Sequence, residues 1–430
     1  MDIFNGIIIL IHNLNINLKI YYNNKYLMAN KIFIQIASYR DPELIPTIKN
    51  CIANAYNPNN LSFGICWQHA AEDTWDNLDE FLNDTRFTIM DVNWNQSKGL
   101  GWARHHIQKM WKGEKYTLQL DSHHRFIKSW DTILIKMMAE CNSLKPIITT
   151  YATVYEPSNN GDILKEGFYK MVGKRFSSYG TILFFPEQID EMTNKPIPAR
   201  FVSGHFYFTL GIHCSEYKYD PDIYFAGDEI SLSIRSYTLG YDIFHPYKTV
   251  IYHYYLRDGR KKHWDDFNVK TKEDGLVDKL WHEMNEDSLL RLRHLLREED
   301  NNIDLGEYNL GKVRTFEEYE KYAGINFKLR RLHPETVKGI TPPIQNNVND
   351  WYKIEEKLFN FTFNIPETHN FTFIYIGIEN LHGQVLYRTD ITEYKPTIDI
   401  SFISSDYPYK WVYWPCYSTG WGNNKKDFFL

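Results

Sequence analysis

Apolar residues recur along this chain in two rhythms, and their alternation predicts the architecture. Ile32 to Ala37 is a compact, partly β-branched run, followed by similar runs at Leu61 to Trp67, Phe87 to Val92 and Tyr116 to Leu120. Each is expected as a strand. Between them, apolar residues fall three and four apart in Glu43 to Ala55, through Trp75, Leu78 and Leu82, and in Gly99 to Trp111, which predicts helices. Strands and helices alternating through short connections imply a mainly parallel sheet covered by helices, an α/β fold. Further on, Ile147 to Tyr155, Gly180 to Phe185 and Phe201 to Leu210 are strand-like. Gly227 to Leu239 and residues 276–298 are helical in pattern, and Tyr241 to Tyr255 is β-rich.

The pattern also divides the chain. Residues 1–30 are Asn-rich with weak periodicity and are expected as an extension, with Met28 as an alternative start just before the first strand. Residues 31–330 form the α/β domain. Residues 331–350, with HPE, ITPPI and NNVND, are expected as a turn-rich linker. Beyond it, Phe359 to Phe363, Phe371 to Ile378 and Val385 to Tyr387 alternate as in a small antiparallel β domain over 351–430.

Composition narrows the function. With 430 residues the chain can bury a catalytic core and an accessory unit. An aromatic share of 16% suits core packing and also the apolar faces of sugars. The net charge of −6, with no cluster of Lys and Arg, argues against a nucleic-acid partner. Five scattered cysteines without CxxC spacing argue against a disulfide framework or zinc ribbon and fit a reducing compartment. Near the N-terminus only Ile7 to Ile11 is continuously apolar, whereas a membrane span needs about 20 such residues. The expectation is a soluble, cytoplasmic protein with no membrane partner. The NxS/T triplets at Asn83, Asn95, Asn360 and Asn370 are accordingly expected to carry no glycan.

In a parallel sheet, ligands gather beyond the carboxyl ends of the strands. SYRD (38–41) and DSHHRF (121–126) follow the first and fourth predicted strands, so both are expected on one sheet edge. Asp121 and His123, two residues apart, project to one side and can share a cation. Such a cation stabilises a departing nucleotide diphosphate, and a nitrogen ligand beside oxygens favours Mn²⁺ over Mg²⁺. A DxH triplet alone equally describes an Asp capping a turn beside a surface His. Asp228 and Glu229, after Gly227 at a helix start, can accept hydrogen bonds from an incoming hydroxyl or simply complement the helix N-terminus.

The runs IQIASYRDPEL, FGICWQ, WARHHIQ, QLDSHHRF, FVSGHFYF, YDPDIYFAGDEISLSIRSYTLGYDIF and RTFEEYEKYAGINF occur in order between residues 31 and 326. Together they resemble the cytoplasmic polypeptide N-acetylglucosaminyltransferase family, whose best-known members modify hydroxyproline. That family is similar to the mucin-type polypeptide GalNAc-transferases. The resemblance implies a GT-A fold, a UDP-sugar donor, a divalent cation and retention of anomeric configuration. It implies Asp121 and His123 as the DxH motif, with His253 of VIYHYYLR as third metal ligand. Asp228 and Glu229 match the acidic pair near the acceptor, and with Arg104 make the implied catalytic set. Trp102, Ala103 and Arg104 in GLGWARH resemble a GxxxAR helix start that contacts the donor, so Arg104 is expected to face phosphate or sugar hydroxyls. Ser38, Arg40 and Asp41 fall where such folds hold the nucleotide. His124 departs from the family pattern, which has an apolar residue there, and the two-residue spacing favours His123 as the ligand. His205 and His245 are expected to be structural.

The activity implied is transfer of N-acetylglucosamine from UDP-GlcNAc to a protein hydroxyl of hydroxyproline, Ser or Thr. Front-face displacement is the expected route, with a covalent one through Asp228 or Glu229 as the alternative. Three rivals are a glycosyltransferase of other donor and acceptor, a metallohydrolase, and a non-catalytic sugar binder. The second lacks an HExxH-type ligand set, and the third would use Trp411, Tyr413, Trp414 and Trp421.

Overall fold

A computed structural model describes residues 30–429 apart from 159–160, 178, 190–192, 257–258, 300, 346–356, 382 and 419. Residues 1–29 of the expected extension lie outside the described residues. The four early apolar runs form strands β1 (Ile32–Tyr39), β2 (Leu61–His69), β3 (Phe87–Asn93) and β4 (Tyr116–Asp121). They pair in parallel in the order β4-β1-β2-β3, with Ile32 opposite both Tyr116 and Leu61. Ile34, Ile36, Ile65, Leu118 and Leu120 are fully buried, because helices cover both faces of the sheet. Leu44 and Ile48 of the helix Leu44–Asn54 pack on one face with Trp130 and Leu134 of the helix Trp130–Glu140. Ala103 and Ile107 of the helix Leu100–Gln108 pack on the other with Phe33 and Cys66. Gly101 lets that helix lie against the 220–223 segment: a Cβ there would stand 2.2 Å from the Ile223 carbonyl oxygen.

The sheet continues past β4 through Phe206–Leu210, Pro146–Thr149, Asp242–His245 and Ile197–Pro198, making eight strands. It is mixed rather than mainly parallel in this half, because Phe206–Leu210 runs antiparallel to both of its neighbours. The expected strand Phe201 to Leu210 is shorter for a related reason. Residues 201–205 make a buried loop in which Ser203 N–H donates to the Thr149 hydroxyl at 2.9 Å.

Two other expectations are corrected. The helix through Trp75, Leu78 and Leu82 reduces to one turn, Asp79–Leu82. Asp73 directs the preceding residues into turns by accepting from Ala70 N–H at 3.1 Å and pairing with Arg40 at 2.8 Å, and Trp75 is left 45% exposed. The run Ile147 to Tyr155 breaks after Thr149, and its second part, Thr153–Glu156, joins a different sheet. There it lies beside Ile251–His253, which pairs antiparallel with His124–Phe126 so that His253 stands opposite His124. This small sheet joins two segments far apart in the chain beside the end of β4.

The expected linker is packed through residue 345, and 346–350 lie outside the described residues. Arg331–Leu332 pairs with Ile325–Asn326, and His333, Glu335 and Thr336 are buried. The Thr336 hydroxyl donates to the Ala323 carbonyl at 2.6 Å, which ties the segment to the α/β core. Farther on, Phe373–Glu379 is flanked antiparallel by Val385–Ile391 and Lys410–Tyr417, and Lys357–Asn364 pairs with Thr397–Ser404. Ile374, Ile376 and Ile378 form the core of this β unit, and Tyr413 is buried among them. Of the aromatics in the sugar-binding rival, Trp421 is the one left exposed, at 49%.

Candidate active site

Strand β1 ends at Tyr39, and Arg40 turns the chain through a left-handed conformation (φ 47°). The turn sends Arg40 away from the sheet edge. Its guanidinium holds Asp73 through two contacts of 2.8 Å, Glu72 at 2.9 Å and Asp266 at 3.1 Å. Ser38 is wholly buried within β1, and its carbonyl accepts from Gln68 at 2.9 Å. Neither Ser38 nor Arg40 reaches the cavity at the sheet edge. Asp41 does, and its Oδ2 accepts from His123 Nδ1 at 2.6 Å, the Ser122 hydroxyl at 2.7 Å and Arg260 at 3.2 Å. Burial alone would raise this carboxyl, but the hydrogen bond from His123 and the nearby Arg260 guanidinium outweigh it and bring it down to about 2.

The bond to Asp41 fixes the His123 ring, with Nδ1–H donating and Nε2 turned to Asp121. His123 Nε2 lies 3.8 Å and His253 Nε2 3.6 Å from Asp121 Oδ2. One donor atom from each of Asp121, His123 and His253 fits within 4.8 Å of the others. Bonds of about 2.1 Å to one ion put adjacent donor atoms roughly 3–3.5 Å apart, close to these separations. Burial, reinforced by the neighbouring His205, pushes His253 well below the usual histidine range, so it is a neutral imidazole with lone pairs to offer. Neither His253 nitrogen has a hydrogen-bond partner among the described residues, although the ring is buried. Orphaned buried nitrogens are costly, and a shared cation would satisfy the one facing Asp121. The donor set therefore fits a divalent ion.

The other histidines have different tasks. His124 Nδ1 donates to the Asp121 carbonyl at 3.0 Å. His205 Nε2 accepts from Ala152 N–H at 3.1 Å while Nδ1 meets the Ser203 hydroxyl at 3.0 Å. His245 Nδ1 donates to the Thr149 carbonyl at 2.8 Å.

Arg104 lines the cavity but is committed to protein acceptors. Nη1 donates to Asp228 at 2.5 Å and Tyr219 at 3.2 Å, and Nη2 to the Gly204 carbonyl at 2.6 Å and Asp121 at 3.3 Å. These contacts make it a clamp joining Asp121 to Asp228 at the cavity wall. Trp102, two residues before Arg104, sits edge-on to His106 at 4.9 Å and does not reach the cavity. Gly227, in the left-handed region at φ 84°, admits the chain to the helix Asp228–Thr238. Glu229 then accepts from Gly204 N–H at 2.9 Å and the Tyr151 hydroxyl at 2.7 Å. Burial pushes the Glu229 carboxyl up to about 7, even though those two donors favour its charged form.

Around these groups lies a cavity of about 770 Å³, whose lining includes an aromatic set, Tyr151, Tyr169, Phe184 and Tyr255, and a basic wall of Arg260, Lys261 and Lys262. Sequence reasoning missed this basic wall, whose signal was a short RKK block in an acidic chain. It also missed Tyr151, which nothing in its local pattern sets apart. A family model described as Glycosyltransferase (GlcNAc) matches residues 31–85 and 75–329. The chain belongs to that family.

The glycosyltransferase is similar in structure to GalNAc-T7, crystallised with UDP, GalNAc and Mn²⁺, at 13% identity and a TM-score of 0.46, over 67% of this chain. It spans 56% of the length of GalNAc-T7. Staphylococcus aureus TarS residues 1–349, crystallised with UDP-GlcNAc, gives 12% identity and a TM-score of 0.34, over 61% of this chain and 72% of that one. A longer S. aureus TarS structure gives 10% identity and a TM-score of 0.35, over 90% and 75%. No curated protein matches the chain. The fold is a mixed α/β sheet with the candidate site at the ends of β1 and β4. Among the described residues, no helix is long and apolar enough to cross a membrane.

Proposed function

We propose that this glycosyltransferase moves N-acetylglucosamine from UDP-GlcNAc to a protein hydroxyl, of hydroxyproline, Ser or Thr, with retention and with a divalent cation, Mn²⁺ before Mg²⁺. The observation that carries the reading is the meeting of Asp121, His123 and His253 at the wall of a cavity large enough for a nucleotide sugar. A cation held by these three would supply positive charge to the diphosphate as the glycosidic bond breaks. Asp41 orients His123, and Arg104 keeps Asp121 and Asp228 in register from behind. Lys261 and Lys262 give the diphosphate a cationic flank, while Arg260 is held by Asp41 and the Tyr254 and Leu256 carbonyls.

Asp228 and Glu229 serve the sugar and the acceptor. Each carboxyl already accepts from the protein, Asp228 from Arg104 and Glu229 from Tyr151 and Gly204, which suits positioning better than attack at the anomeric carbon. The reading is therefore front-face displacement, in which the acceptor hydroxyl enters beside the departing UDP and its proton passes to the diphosphate. Aromatic walls exclude water and favour transfer over hydrolysis. The five cysteines are unpaired, in keeping with action in a reducing compartment such as the cytoplasm.

The test is UDP release from a panel of UDP-sugars with Mn²⁺, Mg²⁺ or chelator, followed by acceptor mass. Turnover selective for UDP-GlcNAc, lost with chelator and in Asp121→Ala or His253→Ala, and adding one N-acetylhexosamine to a hydroxyl-bearing peptide, is the expected result. Full activity of either variant refutes the ligand assignment.

A further inference from the structure

Away from the catalytic cavity, Arg200 lies in the core where the 334–342 segment covers the strands Tyr169–Phe176 and Ile197–Pro198. Its side chain is buried, with the residue only 5% exposed, yet it meets no carboxylate. One nitrogen, Nη1, donates to the Ile340 carbonyl, while Nε and Nη2 are buried without a hydrogen-bond partner. Arg200 lines a small cavity of about 20 Å³, shared with Lys170, Ala199, His245, Thr336 and Gly339. That is room for a single water-sized body. Burial draws the guanidinium down to about 10, outweighing the opposing pull of Tyr322 and Glu335.

The local charge count is unbalanced. Lys170 and Lys174 share one carboxylate, Glu187, at 3.0 and 2.6 Å. Glu335, buried in the same region, accepts from Gln345 N–H at 2.8 Å and makes no ion pair with Arg200. Three cations thus face two carboxylates. His245 adds no charge, since burial holds it down to about 4. Burying a cation without a paired carboxylate is unfavourable, and two unpartnered donors on a residue that lines a space of this size suit a small anion.

We infer that Arg200 and the small cavity beside it form a binding site for a monatomic anion, chloride in ordinary solution, which pins the 334–342 segment to the α/β core. The site is independent of sugar transfer. A larger oxyanion such as phosphate does not fit the volume, and halides do.

The full chain tests this. At constant ionic strength, replacing sodium gluconate by sodium chloride or bromide should raise the thermal midpoint saturably by about 2–4 °C. Arg200→Met should abolish the dependence on halide. If that variant does not fold, a crystal of the unaltered protein in sodium bromide decides by anomalous scattering. A bromide peak within hydrogen-bond reach of Arg200 Nε or Nη2 supports the site. No halide-specific midpoint shift, or a water bridging Arg200 to Glu335 at saturating bromide, overturns it.

Discussion

Replacing Asp41 by Asn should weaken cation binding without removing a single cation ligand. Asp41 Oδ2 takes the Nδ1 proton of His123 at 2.6 Å, and this bond makes Nε2 the lone-pair nitrogen facing Asp121. An Asn amide keeps the volume but can donate to Nδ1 instead of accepting, which moves the proton to Nε2 and closes the lone pair. A hydrogen bond to a charged group contributes about 1.5–3 kcal/mol. Outer partners of metal-bound histidines typically change metal affinity by about 10–100-fold, in the same range. The Mn²⁺ concentration for half-maximal UDP release should therefore rise by about 10–100-fold, with most of the turnover recovered at saturating Mn²⁺. Arg260 also loses part of its partner at 3.2 Å, so Arg260→Met serves as a control that leaves the His123 bond in place. A half-maximal Mn²⁺ concentration unchanged within twofold in Asp41→Asn would refute the reasoning. So would a loss of turnover that no amount of Mn²⁺ restores in a correctly folded variant.

Two further outcomes follow from the buried charges. Glu229 is raised by burial to about 7 from an ordinary 4.5, so the unfolded chain ionises first as pH rises. Its contribution to stability is fully present below about 4.5 and lost as pH climbs through about 7, a change of about 3 kcal/mol. Glu229→Gln should flatten that slope between pH 5 and pH 8 in thermal denaturation, and an unchanged slope counts against it. Arg104→Met should cost about 3–5 kcal/mol in urea denaturation, because it leaves Asp228 buried without its counter-charge. A loss below about 1 kcal/mol would mean that Arg104 is not the clamp described here.

Strands β1, β2 and β4 were legible because each is a largely apolar run buried on both faces, and β3, half-buried at the sheet edge, still keeps its apolar Phe87, Ile89, Met90 and Val92. The DxH spacing was legible for the same local reason, since residues two apart share a side. His253 was reachable only through a family resemblance, as its place depends on a three-residue ladder with His124–Phe126 that no local pattern encodes. Arg40 and Arg104 show a different limit. A sequence displays a guanidinium but not whether protein acceptors already occupy it, and both of these are occupied. The spacing of Trp75, Leu78 and Leu82 is helix-compatible, but the contacts of Asp73 with Arg40 and Ala70 override it. The Pro- and Asn-rich text after Leu332 resembles a tether, yet Thr336 and Glu335 are buried against the core, a tertiary choice that turn-forming residues do not forbid.

The pairing of His253 with His124 across one narrow ribbon has an evolutionary corollary. Because side chains alternate faces along a strand, a shift of pairing by one position would swing the imidazole to the opposite surface. Insertions upstream of Ile251 are then tolerated only where the surrounding turns absorb them, while exchanges at positions 121, 123 and 253 leave the backbone frame untouched. Preference among ions can drift by such exchanges long before the frame itself has to change.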